Sequence, residues 1–206
     1  MPLHVRADAG VRTRSVIRFR EPGEAAIRRF LAGQAGQPFT YAAVGATRAE
    51  VPARYTVDRN RKRLGHGSAD FDRARDLLRS WRMFDLGWVR SFPSDAPIRE
   101  GTAVAVIAQA AGLTFLNATR IVYAFDEGSR FGFAYGTLPD HVESGEERFS
   151  IEIDPADGSV WYDLLAFSRP RHPLARLGYP VTRRLQRRFA RDSMAVMASA
   201  MRPSGV

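Results

Sequence analysis

Thr114-Phe115-Leu116-Asn117-Ala118-Thr119-Arg120-Ile121-Val122-Tyr123-Ala124-Phe125, then Asp126-Glu127-Gly128, then Arg130-Phe131-Gly132-Phe133-Ala134-Tyr135-Gly136-Thr137-Leu138: two runs rich in aromatic and β-branched residues meet at an acidic turn containing glycine. Such side chains suit a pleated, half-buried surface. A connection this short can join only antiparallel neighbours, because a parallel pair needs a crossover of a dozen or more residues. The same texture recurs on both sides, at residues 88–92, 102–110, 148–154 and 160–167, with turn chemistry at Ala111-Gly112 and at 154–158. Consecutive strands on short links predict an antiparallel meander. Residues 15–20 add a further strand candidate, so the expected sheet has six to seven strands.

Helical patterning flanks this block. Pro22-Gly23-Glu24 reads as a helix start, and Ala26, Ile27, Phe30 and Leu31 give an apolar face to about Gly33. Residues 37–54 are irregular, with Phe39-Thr40-Tyr41 as a short buried extended piece. Residues 59–63 form a basic patch before Gly65-His66-Gly67. Ser68 or Asp70 can cap a second helix that carries Phe71, Ala74, Leu78 and Trp81 at helical spacing. After Pro170 and Pro173 a long final helix is expected over about 174–201, bent near Pro180. One of its stripes is Leu174, Leu177, Val181, Leu185, Phe189 and Val196; a second is Met194, Met197 and Met201; Arg183, Arg184, Arg187 and Arg191 lie on another side. Two N-terminal helices, a meander and one long C-terminal helix make an α+β helix-grip architecture, with the sheet wrapped around the helix. Such folds commonly leave a cavity between the two.

The 206 residues, 45% apolar and 26% charged, suit one domain over 1–206, with a flexible tail at 1–14 and the fold proper over 15–200. The chain has no cysteine, which removes disulfides, thiolate metal sites and cysteine nucleophiles and fits a reducing, cytoplasmic compartment. The net charge of +9 is almost wholly arginine, since Lys62 is the only lysine. This permits an anionic partner, nucleic acid or an acidic membrane surface. No aromatic residue interleaves with the helix arginines and no reading module is evident, so a solvated helix face is the expectation.

Gly132-Phe133-Ala134-Tyr135-Gly136-Thr137-Leu138-Pro139, followed by His141, Glu143 and Gly145-Glu146-Glu147, resembles the signature of the domain-of-unknown-function family numbered 1990. Phe39-Thr40-Tyr41 with Val44-Gly45, Leu64-Gly65-His66-Gly67, residues 84–89, 117–123, 161–170 and 186–193 extend the likeness to roughly 15–200. The resemblance implies a START-like or Bet v-like helix-grip fold, and no particular reaction, cofactor or catalytic residue. Asp140 departs from the glycine expected after that proline, which bears on the shape of the turn.

The candidate chemistry is dispersed. Thr137, His141, Glu143, Glu146 and Glu147 form the most polar group. His141 and Glu143 would share a face if extended, and a histidine beside a carboxylate can act as an acid or base. The alternative is a solvated hairpin tip, and no metal-ligand spacing is present. Trp161, Asp163, Leu165 and Phe167 share one face of their strand. Were it inward, Asp163 would be a cavity acid, with Arg120 as a possible cation; the alternatives are a structural ion pair or an outward acid. His141, Glu143 and Asp163 are thus the candidates for catalysis. Tyr135, Asn117, Arg120, Tyr123, Trp161, Asp163 and Thr137 are the candidates for ligand contact, and no cofactor fingerprint is visible. A small-molecule ligand held between sheet and helix is the leading expectation. A cavity enzyme or an anionic-surface binder are the others.

Overall fold

A computed structural model describes residues 17–171 and 178–202. The expected tail, the start of the first strand, and Leu174 and Leu177 lie outside them. The elements run β1 (Ile17–Arg18), α1 (Glu24–Gln34), a 3-10 turn (Ala46–Arg48), β2 (Thr56–His66), α2 (Gly67–Arg79), a 3-10 turn (Arg82–Phe84), β3 (Val89–Phe92), β4 (Ala103–Ala110), β5 (Leu113–Glu127), β6 (Arg130–Thr137), β7 (Glu143–Ile153), β8 (Ser159–Pro170) and α3 (Tyr179–Ala200). One antiparallel sheet has the order β2-β8-β7-β6-β5-β4-β3, with β1 on the first residues of β5. The meander from β3 to β8 is therefore as the sequence predicts, and the fold is an α+β helix-grip.

β2 is the element that sequence reading missed. Residues 59–63 are not an isolated basic patch but the middle of an edge strand, paired with β8 from Thr56↔Ser168 to His66↔Ser159. Its polar composition suits an edge, where charged side chains discourage further pairing. α2 then carries the chain to β3 at the opposite edge. The carboxylate of Asp70 accepts the His66 backbone N–H at 2.8 Å, so the start of α2 is filled by the chain's own acid.

Alternation along the strands divides the molecule into two layers. On the concave face, Phe131, Phe133, Phe149, Ile151, Tyr162 and Leu164 pack with Phe71, Leu78, Trp81, Met83, Phe84, Met194 and Met197. On the convex face, α1 lays Ile27, Phe30 and Leu31 against Ala105, Ile107, Leu116 and Ala118, while Tyr41 and Ala46 pack on Phe167. Of the two apolar stripes expected on the final helix, the structure buries the Met strip more deeply. The C-terminal half of α3 turns the Met strip, with Ala190 and Ser193, into the core, and Val181 is 62% exposed. Pro180 lies in the first turn of α3 and starts the helix rather than bending it.

The turn after Pro139 accommodates Asp140 without a left-handed backbone. Gln34 of α1 donates to Asp140 Oδ2 at 3.1 Å and accepts from the Asp140 N–H at 3.2 Å, which ties the turn to α1. Among the described residues no helix is long and apolar enough to cross a membrane.

Candidate functional site

The cleft forms because α3 packs into the core along its C-terminal half and is joined to the sheet by polar side chains along its N-terminal half. At its C-terminal half, Ser193 and Tyr162 share a hydrogen bond at 2.9 Å beneath the Met strip. Toward its N-terminus the helix stands off the sheet, leaving a cavity of about 560 Å³. One end is apolar, walled by Trp88, Val106, Ala108, Leu113 and Phe115. The other end is polar and gathers Asp58, Tyr135, Glu143, Glu147, Ser168 and Gln186. Leu185 and Phe189 of α3 close the side.

The polar end is built from four strands and the helix. Glu143 and Glu147 project from one face of β7. The Tyr135 hydroxyl on β6 donates to Glu147 Oε2 at 2.6 Å. Gln186 of α3 donates to Glu143 Oε1 at 2.6 Å and to the Ser168 hydroxyl at 3.0 Å. Arg183 grips both oxygens of Asp58 on β2, each at 2.6 Å, and so fastens the start of the helix to the sheet edge. Burial pushes the Glu147 carboxyl up to about 7, against the opposing hydrogen bond from Tyr135. Burial also raises Glu143, while its bonds from Gln186 and Ser168 oppose the rise. Among the described residues no three His, Cys, Asp or Glu are arranged to hold a metal ion.

The sequence-derived candidates divide between the layers. Tyr135, Glu143, Asn117, Thr137 and His141 line the cavity. Asn117 is occupied by backbone: it donates to Val106 O at 3.3 Å and accepts from the Val142 N–H at 3.4 Å. The Thr137 hydroxyl contacts Thr40 and accepts the Gly145 N–H. His141 and Glu143 do not pair through their side chains. The imidazole Nδ1 accepts the Glu143 backbone N–H at 3.0 Å, and burial holds the ring down to about 3.

Arg120, Tyr123, Trp161 and Asp163 lie on the convex face, away from the cavity. A β-bulge between Ile121 and Tyr123 inserts Val122 and flips the strand's parity, which turns Tyr123 outward to Thr47 at 2.7 Å. The Asp163 face of β8 is the outer one, and Tyr162, Leu164 and Ala166 face inward. The expected Asp163–Arg120 pair is replaced: Asp163 takes Arg148 at 3.0 Å, and Arg120 donates to the carbonyls of Ala35 and Gln37. Trp161 lies under the Arg61 guanidinium, 4.7 Å from the ring centre.

Glu146 is not at a solvated hairpin tip. It is 2% exposed and binds the segment that crosses the convex face. Tyr41 donates to it at 2.7 Å, the Gly45 N–H at 2.7 Å, the Thr47 N–H at 3.0 Å and the Thr47 hydroxyl also. Tyr41 reaches it because Gly136 has no side chain; a Cβ there would stand 2.1 Å from the Tyr41 hydroxyl. Asp58 and Gln186 are not among the sequence candidates, and Glu147 is there only as a member of the polar group beside Glu146, with no role of its own. Alternation alone assigns the pair to opposite faces, but does not say which face is which.

A curled antiparallel sheet gripping one long helix places this chain in the helix-grip class. The chain belongs to the family described as "Domain of unknown function (DUF1990)", whose model matches residues 40–196. It is 36% identical over 204 residues to the UPF0548 protein of Dictyostelium discoideum, covering 89% of this chain and 94% of that one. Among solved structures, a hypothetical protein of Helicobacter pylori superposes with a TM-score of 0.51 at 10% identity, covering 80% of this chain and 99% of the other. The di-domain ARO/CYC BexL from the BE-7585A biosynthetic pathway gives 0.51 at 14% identity, covering 75% and 52%. These two structures bear on the fold alone.

Proposed function

We propose that this protein binds a small amphipathic molecule in the cleft between the concave sheet and the N-terminal half of α3. The observation that carries the reading is the cavity itself: about 560 Å³, apolar at one end and hydrogen-bonding at the other. Ligand sites are typically concave, mostly apolar and equipped with a few convergent polar groups. In this reading the apolar wall takes the ligand body. Tyr135, Glu143, Glu147 and Gln186 orient its head.

The other two readings have less support. An enzyme using His141 or Asp163 would need a base at the cavity, yet Asp163 is on the convex face and the His141 Nδ1 lone pair is already engaged. An anionic-surface binder would use the arginines on α3, of which Arg183 is committed to Asp58 and Arg191 lies against Asp192 at 2.9 Å, leaving Arg184 and Arg187 exposed.

Native mass spectrometry of freshly purified protein, beside the same sample denatured, tests the proposal. An extra mass lost on denaturation is expected, and the neutral apolar dye N-phenyl-1-naphthylamine should bind to stripped protein. Leu185→Trp should fill the cleft and abolish dye binding while the protein stays folded. If no extra mass is found and the stripped protein does not bind the dye, the proposal is overturned.

A further inference from the structure

We infer that the head group received by this cleft is cationic: the ligand is an amphipathic amine rather than a fatty acid or a neutral alcohol. This rests on the cavity reading above, and the cavity, not the acidic residues, is what makes the site. The residues at its polar end then select the head. Three carboxylates converge there, from Asp58, Glu143 and Glu147, in a chain whose net charge is +9.

Among the described residues, Asp58 alone of the three is hydrogen-bonded to a cation: Arg183 spends two nitrogens on Asp58 and also donates to Gln186. Arg187 and Arg191 also line the cavity, but Arg187 donates through Nε to the Arg183 carbonyl at 3.3 Å and Arg191 lies against Asp192, and neither is hydrogen-bonded to Glu143 or Glu147. His141 accepts a backbone N–H. Among the described residues, the hydrogen-bond donors to Glu143 and Glu147 are neutral, namely Gln186, Ser168 and Tyr135, with Arg183 acting on Glu143 through its charge alone. Glu147 Oε1 meets no donor among the described residues.

Two partly buried carboxylates on one strand face, without a cation between them, are costly when both are charged. A protonated amine relieves that cost and supplies charge-assisted hydrogen bonds to both. A carboxylate head would add a third uncompensated negative charge. An alcohol would supply a single donor and no charge.

The test is displacement of N-phenyl-1-naphthylamine from the intact protein at pH 7.5 by octylamine, octanol and octanoate, which share one tail. Octylamine should displace the dye at a concentration at least about tenfold below either of the others, the scale of one charge-assisted hydrogen bond. In Glu147→Gln the advantage should shrink, and in the Glu143→Gln/Glu147→Gln double variant it should vanish, each read as the ratio of octylamine to octanol in the same variant with its own dye affinity measured and the fold checked by circular dichroism. Equal displacement by octanoate or octanol in the unmodified protein would overturn the inference and leave the cavity reading intact. So would a preference that survives in a folded double variant, or in Glu147→Gln at full strength should the double variant not fold. Absence of dye binding would overturn the cavity reading and this inference with it.

Discussion

Adjacent glutamates in β7 have opposite fates, and each gives a measurable consequence. Glu146 satisfies four donors in a buried position. Glu146→Gln replaces one acceptor oxygen with an NH2 group that faces donors, so it should cost about 2–3 kcal/mol in urea denaturation, as expected for a buried charged hydrogen-bonding group left unsatisfied. Cleavage by a protease within residues 37–55 should rise with it. Glu147 acts on stability through its proton. Its carboxyl titrates at about 7 in the folded chain against 4.5 for the free group, so the folded state holds a proton that the unfolded state releases. Stability therefore falls as pH rises from 4.5 to 7 and stays reduced above. His141 works in the other direction. Its ring is held near 3 against 6.5, so the unfolded state takes up a proton first and stability falls as pH drops below 6.5. The two slopes oppose each other between 4.5 and 6.5. Glu147→Gln should be more stable than the parent at pH 8 by at least about 1 kcal/mol, and the gain should shrink at pH 5; urea midpoints at the two pH values check this. Neither fate was legible locally. The donors to Glu146 come from residues about a hundred positions earlier, and a run of acids after a turn reads equally well as a solvated tip.

At the level of elements, legibility followed the strength of the alternation. β4, β5, β6 and β8 declare themselves by aromatic and β-branched runs. β2 does not, because its inward positions Asp58 and Asn60 face the cavity's polar end rather than the core. The facing of Tyr123 was illegible for a different reason, since one extra residue at a bulge reverses a strand's parity without any mark in composition. The final helix shows the same limit. Both its apolar stripes are real, and only packing reveals that the Met strip is structural while Leu185 and Phe189 look into the cleft. That division predicts unequal sensitivity. Met197, fully buried, should cost about 2–4 kcal/mol on replacement by alanine. Leu185→Ala should cost less than about 1 kcal/mol in the same denaturation assay, yet weaken dye binding.

For the whole molecule, the sheet acts as a partition. Its convex side is closed by α1 and the segment anchored on Glu146, and its concave side is closed at one end of α3 and open at the other. Opening free energies should follow that asymmetry. In hydrogen exchange, amides over 179–187 should exchange faster than those over 190–200, and octylamine should slow the first group selectively; uniform protection along α3 would count against that asymmetry. The partition also bears on how this chain can change through descent. Side chains at 143, 147 and 186 meet one another and the cavity space, whereas the groups that hold the outer layer lie behind the backbone of the same strands. Replacements among the former can change the lining of the cleft in small steps without loosening the outer layer. Lineages sharing this scaffold are thereby free to diverge in that lining while keeping one architecture.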